Sequence, residues 1–262
     1  MSGKEPGRIV AQKDASAQPA MIRGTRESHQ EKGAETVQVE LLYHTPDPER
    51  AVATAARLCY APVGAAELIE TMPLEQVQGV LATIMASGHH STLEHASYTF
   101  AIEGVSRALT HQLVRHRIAS FNQQSQRYVR FTQGIGMVKP GSVKQDAEAE
   151  AVFDEAIASA LDAYHKLLEL GVPAEDARYL LPNAAETKIV VTMNIRELLH
   201  FFGLRCCNRA QWEIRELADR MLRLVRPTAP AIFCDAGAPC VRGACPEGAM
   251  TCGHPFPKAE RG

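Results

Sequence analysis

The stretch Arg115-His116-Arg117-Ile118-Ala119-Ser120-Phe121-Asn122-Gln123-Gln124-Ser125-Gln126-Arg127-Tyr128 concentrates more chemistry than any other part of the chain. Three cationic or protonatable side chains end an expected helix running from about Ser106 to Arg117. Ser, Asn, Gln, Gln, Ser, Gln and Arg then crowd one loop. Such a loop is costly to bury unless a polar ligand satisfies it. Arginine forks suit phosphate, and amides offer paired donors and acceptors that match a pyrimidine edge. The pattern points to a nucleoside monophosphate. The alternative is a basic helix end followed by a solvated polar loop.

The charge around this stretch is uneven. Between Glu103 and Asp146 there is no acidic residue, while Arg107, Arg115, Arg117, Arg127, Arg130, Lys139 and Lys144 are all present. The chain as a whole carries a formal charge of −2, which argues against general polyanion binding. A local acid-free stretch in such a chain suggests a site for a discrete anion, or else a solvated basic face.

With 262 residues, 45% hydrophobic and 22% charged, the chain is long enough for one large domain or two small ones. No apolar run approaches the roughly 20 residues that span a bilayer, so no membrane association is expected. Residues 1–35 contain no apolar signal-peptide core and mix six basic with five acidic side chains, which reads as a disordered tail. Seven cysteines without a secretory signal fit a reducing cytoplasm better than a disulfide scaffold.

Periodicity outlines the elements. Val37, Val39, Leu41 and Tyr43 alternate as a half-buried strand, and Asp47-Pro48 opens a helix through Cys59. A helix from Pro73 to Ser87 stops at Gly88, and Tyr98, Phe100 and Ile102 mark another strand. Phe153, Ile157, Leu161, Tyr164 and Leu168 recur at helical spacing between Asp146 and Leu170, with Gly171 as the stop. A short helix lies between Pro173 and Pro182, and Lys188 to Met193 reads as a brief strand. Asn194 with Glu197, and Asn208 with Gln211, resemble capping boxes opening two more helices. Strands and helices mix without regular βαβ alternation, so the expected class is α+β, with a mixed sheet and packed helices.

The pattern R-H-R-x-x-S-x-N-x-x-S-x-R-Y, met at every fixed position between Arg115 and Tyr128, resembles the signature of flavin-dependent thymidylate synthases. The resemblance extends from about Val37 to Val225, through the segment from Gly88 to His95 and from Asn194 to Arg205. It implies that family's thymidylate synthase-complementing fold over residues 36–230, between the tail of residues 1–35 and a Cys/Gly/Pro-rich tail at 231–262. It also implies methylation of dUMP to dTMP, with FAD as cofactor, NADPH and 5,10-methylenetetrahydrofolate as co-substrates, and a homotetramer with sites between subunits.

Carried across residue by residue, the resemblance implies flavin contacts at His89, Ser91 and Glu94, whose imidazole, hydroxyl and carboxylate suit ribityl and ribose hydroxyls. Arg115, His116, Arg117 and Ile118 resemble contacts to the isoalloxazine and pyrophosphate, and Asn194, Arg196 and His200 further FAD contacts. At His200 the family often has Asn. Gln112, Gln123, Gln124, Ser125, Gln126 and Arg127 resemble dUMP contacts, completed by Arg178 and Arg205. Arg178, Arg205 and Ser125 are the candidates for catalysis. No base neighbours Ser125 in sequence, which favours binding over nucleophilic attack. For Arg178 a salt bridge with Glu175 or another acid is the competing role.

Methylating C5 of uracil requires electron density there. The ordinary thymidylate synthases use a cysteine for that step, but Pro239-Cys240 lies in a Gly/Pro/Cys-rich tail without the other residues of that family's active site. The resemblance implies instead that reduced FAD supplies the hydride and the folate only the methylene, leaving the protein positioning and electrostatics.

His89, His90, Glu94 and His95 lack the H-E-x-x-H spacing of a zinc site. Cys234, Cys240, Cys245 and Cys252 are either ligands of a structural zinc or free thiols. Cys206-Cys207 read as packed residues. Two other functions compete: a nucleotide- or RNA-binding protein with a zinc-stapled tail, and a metal-dependent hydrolase. The net charge opposes nucleic acid as a partner, and the missing ligand spacing opposes the hydrolase.

Overall fold

A computed structural model describes residues 37–257. The expected disordered tail at 1–35 lies outside these residues. Four strands form the sheet: β1 (Gln38–His44), β2 (Ser97–Ser106), β3 (Ala119–Gln123) and β4 (Glu186–Asn194), in the order β1-β2-β4-β3. All three pairings are antiparallel, so the α+β class holds while the sheet is antiparallel throughout.

The helices follow the sequence signals closely. Asp47 caps α1 (Pro48–Leu58) by accepting from the Arg50 amide, with Pro48 at the first helical position. A helix without a strong start signal follows, α2 (Ala65–Thr71), capped only by Gly64. Then α3 (Leu74–Ser87) ends at Gly88, whose φ of 74° few other residues tolerate. A 3-10 turn over His90–His95 leads into β2. Beyond it lie α4 (Arg107–Leu113), α5 (Gly141–Lys144), α6 (Ala147–Glu169) and α7 (Ala174–Ala177), the last continued by a 3-10 turn at Arg178–Leu180. Finally come α8 (Ile195–Arg205), α9 (Trp212–Val225) and α10 (Pro230–Phe233).

Phe100, Ile102, Ile189, Val191 and Met193 from the two central strands are buried with Leu198, Phe201, Phe202, Leu217 and Met221 of α8 and α9. On β4 the alternate residues Lys188 and Val190 face outward, the period-2 arrangement of a sheet covered on one side. Glu213 on α9 is 1% exposed, and its carboxylate accepts from both the amide and the hydroxyl of Ser106 at 2.6 Å. This ties α9 to the junction of β2 and α4.

Three sequence expectations change. The helix expected to reach Arg117 stops at Leu113, because the amides of Arg115 and His116 bond back to Gln112 and Leu113 and tighten the last turn. The polar loop after it begins as strand β3, an edge strand whose outward Ser120 and Asn122 hid it. The second capping box is displaced: Gln211, not Asn208, caps α9 by accepting from Glu213 and Ile214.

Candidate active site

The turn between α4 and β3 splays its three cationic residues. Arg115 and Arg117 are exposed and line an open depression of about 450 Å³ with His111 and Val114. Ile118 beside them is 63% exposed. His116 points the other way and is 4% exposed.

The His116 ring joins two residues of α8. Its Nδ1 lies 2.9 Å from the Glu197 carboxylate, and Arg205 Nε donates to its Nε2 at 3.1 Å. Because the guanidinium can only donate, Nε2 must be the bare nitrogen and Nδ1 carries the proton. Burial pulls the imidazole below its ordinary pKa, the hydrogen bond to Glu197 opposes this, and the Arg205 charge adds to the lowering. The ring is therefore neutral and locked in one tautomer. His200 and Phe201 pack edge-on to it, with ring centroids at 5.7 and 4.9 Å.

His116, Glu197 and His200 form the one cluster among the described residues whose ligand atoms all lie within 4.8 Å of one another. Glu197, His116 and Arg205 form a hydrogen-bonded chain that holds a guanidinium, with His200 packed edge-on to the imidazole. Both ring nitrogens of His116, a residue expected to contact the flavin, thus have partners within the chain.

Glu94 and Arg196 form an ion pair that brings the His90–His95 turn against the start of α8. His89, Ser91 and His200 are exposed on their elements. Asn194 ends β4 and caps α8 through its side-chain oxygen, which accepts from the Glu197 amide at 2.9 Å. The reciprocal half of the expected capping box is absent, since the Glu197 side chain is committed to His116.

Glu175 connects two of the candidate nucleotide ligands. Its carboxylate takes Arg127 at 2.8 Å, while its backbone carbonyl accepts from Arg178 Nε at 3.1 Å. The salt bridge foreseen as a competing role for Arg178 thus belongs to Arg127. Arg107 stands close enough to Arg178 that, after burial, their repulsion helps lower the Arg107 pKa. Gln123 spans Thr110 on α4 and Thr187 on β4 through its amide nitrogen, at 3.2 and 3.3 Å. Gln126 is buried, Gln112 and Gln124 are half-buried, and the Ser125 hydroxyl accepts from the Arg127 amide. Among the described residues no imidazole or carboxylate bonds to Ser125.

Sequence reading missed Glu197 and Arg107. Glu197 registered only as a capping residue, and its partner lies 81 positions away. Arg107 was counted in the basic stretch, but its nearness to Arg178 depends on the chain returning to the sheet.

The tail thiols do not gather as expected. Cys207, Cys240, Cys245 and Cys252 line a cavity of about 260 Å³, and Cys234 is not among its lining residues. None of the seven cysteines is in a disulfide.

A family model described as thymidylate synthase complementing protein matches residues 40–231. A flavin-dependent thymidylate synthase of Geobacter sulfurreducens is 63% identical over 218 residues, covering 83% of this chain and 94% of that relative. One from Clostridium tetani is 49% identical over 233 residues, covering 83% and 93%. Among solved structures, a UMP/dUMP methylase of Streptomyces cacaoi bound with 5-Br dUMP matches with a TM-score of 0.65 and 27% identity, over 76% of this chain and 94% of that one. This chain belongs to the flavin-dependent thymidylate synthase family.

Proposed function

We propose that the protein methylates dUMP to dTMP, with FAD as the hydride-carrying cofactor, 5,10-methylenetetrahydrofolate as methylene donor and NADPH as reductant. The observation that carries the reading is the convergence of Arg127 and Arg178 on Glu175, together with a guanidinium at Arg205 aimed by a neutral imidazole. Preset cations of this kind suit a substrate with one phosphate and a ring that accumulates negative charge.

The residues present fit a flavin dinucleotide. Arg115, Arg117 and Arg196 are exposed cations suited to a pyrophosphate, and His89 and Ser91 offer groups for sugar hydroxyls. Bound and reduced, the flavin supplies the hydride that completes the methyl group. The protein's own part is to bind and orient. Gln112, Gln124 and Gln126 offer amides to the uracil edge. Arg127 and Arg178 hold the phosphate or the ring oxygens. Arg205, its Nε taken by His116, presents its terminal amino groups to charge spreading onto the uracil. Ser125 binds instead of attacking, in keeping with its lack of a base.

The exposure of His89, Ser91, Arg115, Arg117, Ile118 and Arg196 on one chain suits a homotetramer in which a neighbouring subunit closes the flavin site. Seven unpaired thiols suit a reducing cytoplasm, and no helix of the described residues is long and apolar enough to cross a membrane.

The test is the visible spectrum of the purified full chain, followed by turnover of dUMP with methylene-folate and NADPH. A flavin band that bleaches with NADPH, and dTMP formation that requires FAD, is the expected result. A protein that neither contains nor takes up FAD would overturn the reading.

A further inference from the structure

The cavity of about 260 Å³ between the end of α8 and the C-terminal tail has four cysteines in its lining, Cys207, Cys240, Cys245 and Cys252. The other three cysteines are accounted for elsewhere. Cys59 is exposed at the C-terminal end of α1, and Cys206 is buried, where burial pushes its thiol well above the ordinary range. The exposed Cys234 directs its sulfur to the Ala231 carbonyl.

Two of the four cavity sulfurs already accept backbone hydrogen bonds. The Phe256 amide donates to Cys240 Sγ and the His254 amide to Cys252 Sγ, each at 3.4 Å. Backbone amides directed at sulfur are a recurrent feature around metal-bound cysteines. Arg205 and Arg209 also line the cavity, the latter paired there with Glu247 at 2.6 Å.

We propose that Cys207, Cys240, Cys245 and Cys252 together ligate one soft metal centre that pins the tail to the end of α8. Each ligating thiol releases its proton on binding, so assembly frees four protons per site if all four begin protonated. Separated sulfurs suit an iron–sulfur cluster better than a single zinc ion. Two sulfurs on one zinc, at ~2.3 Å each, stand no more than about 4.6 Å apart. No three of these sulfurs lie within 4.8 Å of one another. A four-iron cluster places each cysteinyl sulfur on a different iron, and so at wider separation.

The site also has a mechanical side. Cys207 follows Arg205 by two residues, and Asn208 donates to the His254 carbonyl at 2.9 Å. Tail and guanidinium therefore share one anchor.

The test uses the full chain purified without oxygen, assayed for iron, zinc and acid-labile sulfide, with electron paramagnetic resonance after dithionite reduction. About four irons and four sulfides per chain, lost at least tenfold in Cys207→Ser and in Cys252→Ser but retained in Cys234→Ser, is the expected result. One zinc per chain with the same dependence on variants would keep the ligand set and overturn the cluster. Metal-free protein with four titratable thiols in place of the site would overturn the proposal, as would metal lost in Cys234→Ser. Circular dichroism of each variant separates loss of ligand from failure to fold. The metal content is read without reference to dUMP turnover, so the assignment fails or stands apart from the proposed reaction.

Discussion

Arg205 Nε donates to His116 Nε2 at 3.1 Å, although the two residues are 89 positions apart. One comes from the turn after α4 and the other from the last turn of α8. The bond therefore exists only once β4 has delivered α8 across the sheet. Glu197, just over two turns before Arg205 on α8, holds the other side of the same ring.

Glu197→Ala removes the acceptor that the His116 Nδ1 proton has among the described residues and leaves a buried donor unsatisfied, which costs about 1–3 kcal/mol. Glu197→Gln keeps an acceptor oxygen. The expected outcome is a clear loss of thermal stability and of kcat in the alanine variant, with most of both restored in the glutamine variant. Equal loss in both would mean that the carboxylate charge, and not the tautomer it selects, is what matters.

Acid should weaken the fold through His116. Burial sets its pKa below the ordinary value in the folded chain, while the unfolded chain keeps a value of ~6.5. Between those values the unfolded state binds the extra proton. Stability is therefore full above the upper value and falls as pH drops through the window. Thermal melts from pH 8 to pH 5 should show this decline, and His116→Gln should flatten it.

Arg178→Ala should reduce dTMP formation by on the order of 100-fold, the usual effect of losing one preset donor to developing charge. Ser125→Ala should keep most activity. Steady-state kinetics at saturating folate and NADPH distinguish the two, and the reverse ranking would make Ser125 the reacting group.

Glu213→Ala should destabilise without touching the nucleotide site. The Ser106 amide and hydroxyl both lose the acceptor they meet at 2.6 Å, a loss of about 1–3 kcal/mol for a buried pair. Urea denaturation should show a lower midpoint, while turnover per folded molecule stays the same.

Much of this was written in local sequence. Asp47-Pro48, Gly88 and Asn194 each announce a helix boundary by their own chemistry, and the boundaries fall where those residues put them. The alternation of Tyr98, Phe100 and Ile102 gave away β2 because its buried face is wholly apolar. What stayed hidden has a common cause. β3 has one large apolar residue, Phe121, and earns its strand geometry from pairing with β4. The Glu197–His116–Arg205 relay, the Arg127–Glu175 pair and the presence of Cys207 in the tail cavity all join residues distant in the chain. Spacing along the sequence carries no record of them.

Strand β4 runs directly into α8, with Asn194 both the last residue of the strand and the cap of the helix. From Asn194 to Arg205 the backbone is a straight spacer of roughly 16 Å at 1.5 Å per residue, fixed at one end to the centre of the sheet. It sets the separation and the rotational phase between Arg196 at its start and Arg205 at its end. A single residue inserted between His200 and Arg205 would turn the guanidinium by about 100° and carry it off His116, whereas an insertion in the surface loop near Gly134 would leave that phase untouched. Insertions and deletions in working variants should therefore be excluded from these twelve positions, Asn194 to Arg205, and collect where the chain has no phase to keep.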